Sequence, residues 1–381
     1  MAEPGRRRAR ERCPQMLTVL SVAYFALVGM ALRGLIALLT KHADFGLTTT
    51  SVSREEQLRY HHCFASSSGS GYFFQNILGC ILMAIVARHK PAMDQHLAVG
   101  LGSGLCGSLT TFATWMGSEG ATVLNGHPHQ ALVSLICMLC VSLSSFSFGH
   151  YLAGCGMGEQ PACCDEHCGL KTCFQGGSRR QAAASRPLGP AATGQAVAVE
   201  DGAAGEGSTS ESGSDPDWAL DEAGEQPQGK EVQLSQPMVG LIFVGSTLAI
   251  VGYLIASWRL GFTEGFLHLA YAPAGALLRW YLSLYNPLTA PFPLFTLVAN
   301  TLGCVFNALP GILAARVTDG FGQMAVSAIA TGFGGCLSTV STFVGELRGE
   351  ALGGLRMRVF YFLVSVGFAM LVILPIDTAK C

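Results

Sequence analysis

Two stretches of this sequence put hydroxyl, amide and aromatic side chains inside apolar runs, where each polar group needs a partner. Gly104-Leu-Cys-Gly-Ser-Leu-Thr-Thr-Phe-Ala-Thr-Trp115 is answered by Gly332-Phe-Gly-Gly-Cys-Leu-Ser-Thr-Val-Ser-Thr-Phe343. Each packs glycines and then hydroxyls into the middle of a hydrophobic helix, giving the ladders Thr110, Thr111, Thr114 and Ser338, Thr339, Ser341, Thr342. Gly107 and Gly335 can break their helices and expose backbone carbonyls that the protein must satisfy internally. The bland alternative is close helix packing, since Gly100, Gly104 and the pair Gly332/Gly335 suit small-residue interfaces. Upstream of each stretch lies an asparagine in an apolar run, Asn76 and Asn300. An amide there is costly unless paired; it offers N–H donors to an anion or a hydrogen bond to a neighbouring helix. Arg33 and Arg279 read as structural residues that snorkel or pair near a span end, with anion attraction as a lesser role. Glu119 and Glu346 read as solvated caps closing their helices. No run carries a nucleophile–base pair, a His-rich metal cluster or a cofactor loop, so an enzyme is a poor fit, and a phosphate loop lacks its lysine.

The elements that must hold these residues are membrane helices. Half of the 381 residues are hydrophobic and 13% are charged, against roughly 25% charged in soluble domains. Apolar runs long enough to span a bilayer, about 17–25 residues, are expected at Leu17–Thr40, Tyr72–Val86, Leu97–Met116, Ala131–Gly154, Met238–Ile255, Phe266–Leu284, Phe292–Ala314, Phe321–Gly345 and Val359–Pro375. The fold class is therefore an all-α integral membrane protein with nine transmembrane helices. Arg6, Arg7, Arg8, Arg10 and Arg12 lead into a run too long for a signal peptide and read as a basic cytoplasmic tail, 1–16. The stretch 155–236, rich in Gly, Ala, Ser, Glu and Asp, is too polar to bury a core and is expected to be a disordered cytoplasmic insert. Its cysteines, Cys155, Cys163, Cys164, Cys168 and Cys173, suit palmitoylation about as well as a metal knuckle, while those inside spans read as small hydrophobes. Lysines and arginines are more numerous on the face that holds the N-terminus and the insert, which places both inside and the C-terminus outside.

The chain also repeats itself. Asn76-Ile-Leu-Gly79 recurs as Asn300-Thr-Leu-Gly303, Gly29-Met-Ala-Leu-Arg33 as Gly275-Ala-Leu-Leu-Arg279, and Val133-Ser134-Leu135 as Val364-Ser365-Val366. A first four-helix repeat covers 17–154 and a second 261–376. A lone span at 237–260 makes the offset odd and inverts the second copy, an architecture familiar from transport proteins with sites near the midplane.

These motifs resemble the fluoride channel family, specifically its fused two-domain eukaryotic exporters. The resemblance rests on the Gly-rich stretch ending Thr-Thr-Phe-x-Thr-aromatic with Asn-x-x-Gly upstream, present twice, and covers both four-span units and the span between them. It implies a passive, selective fluoride channel exporting F− across the plasma membrane, in which one chain does the work of the family's homodimer. The partners are the fluoride ion and the lipid bilayer, with no nucleic acid. It implies a central structural sodium on backbone carbonyls, by position those of Gly107 and Ser108 in one half and of Gly335 and Cys336 in the other; hard cations favour such oxygens. It implies anion pathways lined by Asn76, Asn300, Thr111, Thr114, Ser341, Thr342, Ser134, Ser365, Tyr361, Phe112 and Phe343, the rings offering electropositive edges. In the family's geometry one pathway joins Phe112 with Phe343 and the other Val340 with Trp115. The second has lost a ring, which favours one working pore. An inverted-repeat carrier of small molecules is the alternative; it would be expected to bear an ionisable midplane residue.

Overall fold

The computed structural model describes residues 4–43, 72–156, 236–261, 264–313 and 316–378. Among these residues every regular element is helical. The expected insert falls outside the described residues except for its ends, as do the loop after the first span and the cysteine cluster beyond Cys155.

Helix α1 (Pro4–Ala43) is 40 residues long. The tail expected as a separate segment is helical from Pro4 and joins the first span without interruption. Helix α2 (Phe73–His89) follows, its last turn carrying Arg88, a cation that suits the negative end of the dipole. Helix α3 is built of three pieces: Gln95–Val99, a wide π-helical stretch Gly100–Cys106 and a last turn Gly107–Leu109. Asp94 caps its start, accepting from the N–H groups of His96 and Leu97 at 2.9 and 3.2 Å. Helices α4 (Phe112–Leu124) and α5 (Pro128–Gly156) complete the first half. After α6 (Gln236–Arg259) the second half runs through α7 (Glu264–Ser283) and α8 (Leu294–Leu313). Helix α9 is again composite, Gly320–Ala328, π-helical Ile329–Gly334 and Gly335–Leu337. Helices α10 (Ser341–Arg348) and α11 (Leu355–Thr378) follow.

The glycines of α3 and α9 let another helix lie directly on them. A Cβ on Gly29 would come within 2.9 Å of Ser108 Cβ, and one on Gly104 within 2.8 Å of the Val22 carbonyl, where α1 crosses α3. The second half repeats the crossing: a Cβ on Gly275 would strike the Phe333 carbonyl, and one on Gly332 would lie 2.6 Å from that of His268. The packing expected of Gly100, Gly104 and Gly332 therefore occurs at those residues, while the break lies elsewhere, as described below. Helix α6 lies against α1. Tyr24 meets Thr247 at 2.9 Å, and the Tyr253 ring fills the space that a side chain at Gly34 would take. Its outer side exposes Leu241, Val244, Leu248, Val251 and Ile255.

Seven helical stretches among the described residues are long and apolar enough to cross a bilayer: Gln15–Thr40, Gln95–Leu124, Pro128–Gly154, Pro237–Arg259, Leu294–Leu313, Gly320–Arg348 and Leu355–Pro375. The chain is an integral membrane protein. The two other expected spans fall on α2, which has 17 residues, and α7, which carries Glu264, His268 and Arg279. Cys80, Cys106, Cys304 and Cys336 are buried free thiols.

Candidate ion pathway

The two composite helices are each interrupted in the hydroxyl ladder. In the first half Thr110 and Thr111 are extended, with ψ of 155° and 114°, and helical geometry resumes at Phe112. In the second, Ser338 is extended with ψ 154° and the helix resumes at Ser341. The expectation that Gly107 and Gly335 themselves break the helix is thus corrected. Both have helical dihedrals, and they open the last turn before the break. The interruption falls where hydroxyls can replace the lost helical partners.

A break leaves N–H and C=O groups without partners, and the asparagines meet part of that need. Asn76 Oδ1 accepts the Thr111 N–H at 2.8 Å and Asn300 Oδ1 accepts the Thr339 N–H at 2.7 Å. Beyond that the two differ. Asn76 Nδ2 donates to the Thr111 carbonyl at 3.4 Å, whereas Asn300 Nδ2 is buried with no hydrogen-bond partner among the described residues.

The rest of the need is met across the halves. Thr110 Oγ1 accepts from the N–H groups of Val340 and Ser341, both at 3.2 Å, and so caps α10. Ser338 Oγ accepts from the N–H of Ala113 at 3.1 Å and caps α4. Ser341 Oγ donates to the Cys106 carbonyl at 3.2 Å. Thr111 Oγ1 lies 3.0 Å from Thr114 Oγ1 and 3.4 Å from Ser338 Oγ, and Thr339 Oγ1 donates to Thr342 Oγ1 at 3.4 Å. Thr111 and the half-buried Thr114 are therefore joined to Ser338, and Ser341 and the half-buried Thr342 to Thr110 and Thr339. Thr110 and Ser338, both members of the ladders read from the sequence, are the cross-links between the halves.

The carbonyls of the last turns face positive charge. Arg33 donates to the carbonyls of Leu109 at 3.3 Å, Thr110 at 3.0 Å and Ser108 in its own half, and to Gly335 at 2.9 Å and Thr331 at 3.4 Å in the other. Arg279 donates to the Cys336 carbonyl at 3.0 Å and crosses to that of Ser103 at 2.5 Å. Both arginines are buried, at 5% and 4% exposure, so of the two expectations, snorkelling or structural pairing, it is the pairing that occurs. Gly107 and Gly335 admit the guanidiniums, since a Cβ at either would collide with Arg279 or Arg33 respectively. Among the described residues these arginines meet carbonyl dipoles and no carboxylate. Main-chain oxygens of both halves thus converge on cationic guanidiniums; carbonyl oxygens are the ligand type of hard cations too, but here Ser108, Gly335 and Cys336 give theirs to the arginines.

Around this centre stand the aromatic residues. Phe112 and Phe343 meet edge to face, centroids 5.4 Å apart, and both are fully buried. Trp115 lies edge-on to Phe112 at 5.7 Å. Phe343 also contacts the Tyr361 ring at 5.1 Å. Val340 is buried and adds no ring. Ser365 is buried one turn beyond Tyr361. Ser134 is drawn elsewhere, donating to Glu119 Oε1 at 2.7 Å.

Glu119 and Glu346 correct the reading of solvated caps. Glu119 is 2% exposed and accepts from Ser134 and, at 3.4 Å, from Tyr72. Glu346 accepts from Thr296 at 2.5 Å and from Tyr361 at 2.7 Å. The sequence signal was the acidic residue itself, one turn past an aromatic in an apolar helix. The expected span ended at Met116, before Glu119, while α4 continues to Leu124.

A chain with two composite broken helices whose breaks cap one another defines a class of membrane protein, and comparison identifies it. Residues 20–150 and 266–375 match the family described as CrcB-like protein, Camphor Resistance (CrcB). This chain belongs to that family, with the family's unit present twice. It is 38% identical over 131 residues to Fluoride export protein 1 of Candida albicans, covering 32% of this chain and 33% of that protein. It is 36% identical over 120 residues to Fluoride export protein 1 of Neurospora crassa, covering 28% of this chain and 20% of that protein. It is 40% identical over 95 residues to the Fluoride-specific ion channel FluC of Desulfovibrio desulfuricans, covering 23% of this chain and 66% of that protein. The matched region thus spans a third or less of the length of the two fungal relatives. No solved structure matches the chain.

Proposed function

We propose that this chain is a passive, selective fluoride channel that exports F− across the plasma membrane, with the ion as its one transported partner. What carries this reading is the buried contact between Phe112 and Phe343 beside the interlocked hydroxyls of the two breaks. Ring edges, hydroxyls and the amide N–H of Asn300 are the donors a small, strongly hydrated anion needs once it loses water. A carrier of organic molecules needs a wide cavity, whereas Phe112, Phe343, Val340, Thr110 and Ser338 are all fully buried.

In this reading nine spans form two inverted four-helix units joined by α6, and one chain does the work of a homodimer. The N-terminus is cytoplasmic and the C-terminus extracellular. An inside-negative potential then assists export by about 2.3 kcal/mol per charge at 100 mV. One pore conducts, the one holding Phe112, Phe343 and Tyr361; Val340 deprives the other of a ring. Sodium belongs to the proposal as well. The carbonyls of Gly107, Ser108, Gly335 and Cys336 would hold it beside the arginines, using lone pairs that the guanidiniums leave, and when bound it supplies fixed positive charge between the halves. Arg33 and Arg279 hold the carbonyls in place, and the hydroxyls and Asn300 solvate the anion.

The test is fluoride efflux from liposomes holding the purified chain, with chloride as control. Fluoride release without chloride release is the expected result; equal release of both, or of neither, refutes the reading. Deleting α6 should misorient the second unit and abolish efflux, and full activity in that deletion would remove the inversion.

A further inference from the structure

The duplicated units differ at one polar position beside the ring pair. Seven residues after Asn76 the first half has Met83, and seven residues after Asn300 the second has Asn307. Seven residues are two helical turns, so Asn307 lies on the same face of α8 as Asn300, about 10 Å further along. Its amide meets α4. Asn307 Nδ2 donates to the carbonyl of Ala113, the residue after Phe112, at 3.5 Å, the long limit of such a bond. One turn on, α4 has Gly117, and a Cβ there would lie 3.2 Å from the same nitrogen. The glycine keeps room beside the amide. A Cβ on the matched Gly345 of the second half would instead meet the Phe146 ring, at 3.6 Å. Asn307 is half-buried, and an amide nitrogen carries two N–H groups, so one remains for a ligand.

Helix α11 packs on both α4 and α8. Every fourth residue on one of its faces reads Tyr361, Ser365, Ala369 and Ile373, all buried. Ser365 Oγ, like Asn300 Nδ2, has no hydrogen-bond partner among the described residues. Beyond Ser365 this face is apolar, and Ile373 covers Gly120 of α4, where a Cβ would lie 2.6 Å from its Cγ2. An anion that has given up its water therefore finds donors at Asn300 and Ser365 and then an apolar wall on α11. A buried charge without partners is costly. Asn307 supplies a donor from the facing helix.

We infer that Asn307 is a second anion-binding site on this path, taking fluoride on its amide N–H as the ion leaves Asn300 and the Phe112 and Phe343 rings. The inference rests on the channel reading above. Two sites in series let an ion enter without becoming trapped. In the first half Met83 offers a thioether, a weak acceptor and no donor. The two halves thus differ by an amide as well as by a ring.

The test uses the full chain in liposomes with a fluoride electrode, at matched protein content. Asn307→Leu keeps the shape and removes the amide, and should lower fluoride efflux about tenfold, the loss of one hydrogen bond to a charged group. Asn307→Asp removes the same N–H groups and adds a negative charge, so its efflux should fall below that of Asn307→Leu. A mere tie between α8 and α4 predicts something else, because both variants lose the bond to Ala113 and would slow efflux equally. Wild-type efflux in Asn307→Leu overturns the site, and so does equal slowing in the two variants. Should Asn307→Leu fail to give monodisperse protein, wild-type efflux in Asn307→Asp overturns it instead. A wild-type chain that passes no fluoride sinks the channel reading as well, whereas a conducting wild type with an undiminished Asn307→Leu sinks this site alone.

Discussion

The hydroxyl of Thr110 accepts the backbone N–H of Ser341 at 3.2 Å, so a side chain of the first half starts a helix of the second. Ser338 returns the contact to Ala113 at 3.1 Å. Capping hydroxyls of this kind are worth about 0.5–2 kcal/mol each when replaced by alanine. Thr110→Val, nearly isosteric, should lower the melting temperature of the purified protein, and Thr110→Ser should not. A Val variant as stable as wild type would show that the cross-cap contributes nothing.

Asn76 and Asn300 make the same backbone contact, yet the amide nitrogen of Asn300, unlike that of Asn76, has no hydrogen-bond partner among the described residues. Aspartate at either position keeps the acceptor and removes the N–H. Asn300→Asp should retain the fold and lose about tenfold or more in fluoride efflux, roughly 1.4 kcal/mol in the barrier. Asn76→Asp should lose less. Equal losses in the two variants would rule out a special role for the free amide.

The aromatic pairing makes the two halves unequal. Phe343 touches both Phe112 and Tyr361, while Val340 offers no ring edge. Phe343→Ile should nearly stop efflux, and Val340→Ala should change it little. If Val340→Ala proves as damaging, the single-pore proposal fails.

At Gly107 and Gly335 a methyl group would meet a buried guanidinium. Gly107→Ala and Gly335→Ala should therefore impair folding, seen as lost monodisperse protein in size-exclusion chromatography. Ser108→Ala should be milder because its carbonyl, and not its hydroxyl, faces Arg33. Replacing sodium by a large organic cation should also lower the melting temperature, since sodium at a hundred times its dissociation constant stabilises by about 2.7 kcal/mol. A melting temperature indifferent to sodium would argue against a bound ion.

Much of this was legible because duplication marks position. Asn76 and Asn300, or Gly29 and Gly275, stand out as pairs, and each pair makes matching contacts. Partners supplied by the other half were less visible. Nothing in the sequence near Arg33 says that Gly335 lies 2.9 Å from its guanidinium, so snorkelling and structural pairing could not be told apart. The break was placed on Gly107 because glycine loosens a helix. Its position is decided instead by where Thr110, Asn76 and Ser338 can replace the lost backbone bonds. Glu119 looked like a cap because the apolar run stops before it, and its burial depends on Tyr72 and Ser134, distant in sequence.

The reciprocal capping of α4 and α10 also bears on how the chain is made. When the first half has been synthesised and inserted, the acceptor for the Ala113 N–H does not yet exist, because Ser338 comes much later in the chain. An unpaired backbone group inside the bilayer costs several kcal/mol. The first half must therefore wait in an incomplete state, with its broken helix provisional, until the second arrives and the two dock. Assembly becomes a late event inside the membrane, and neither half is free to change its central hydroxyl without regard to the other.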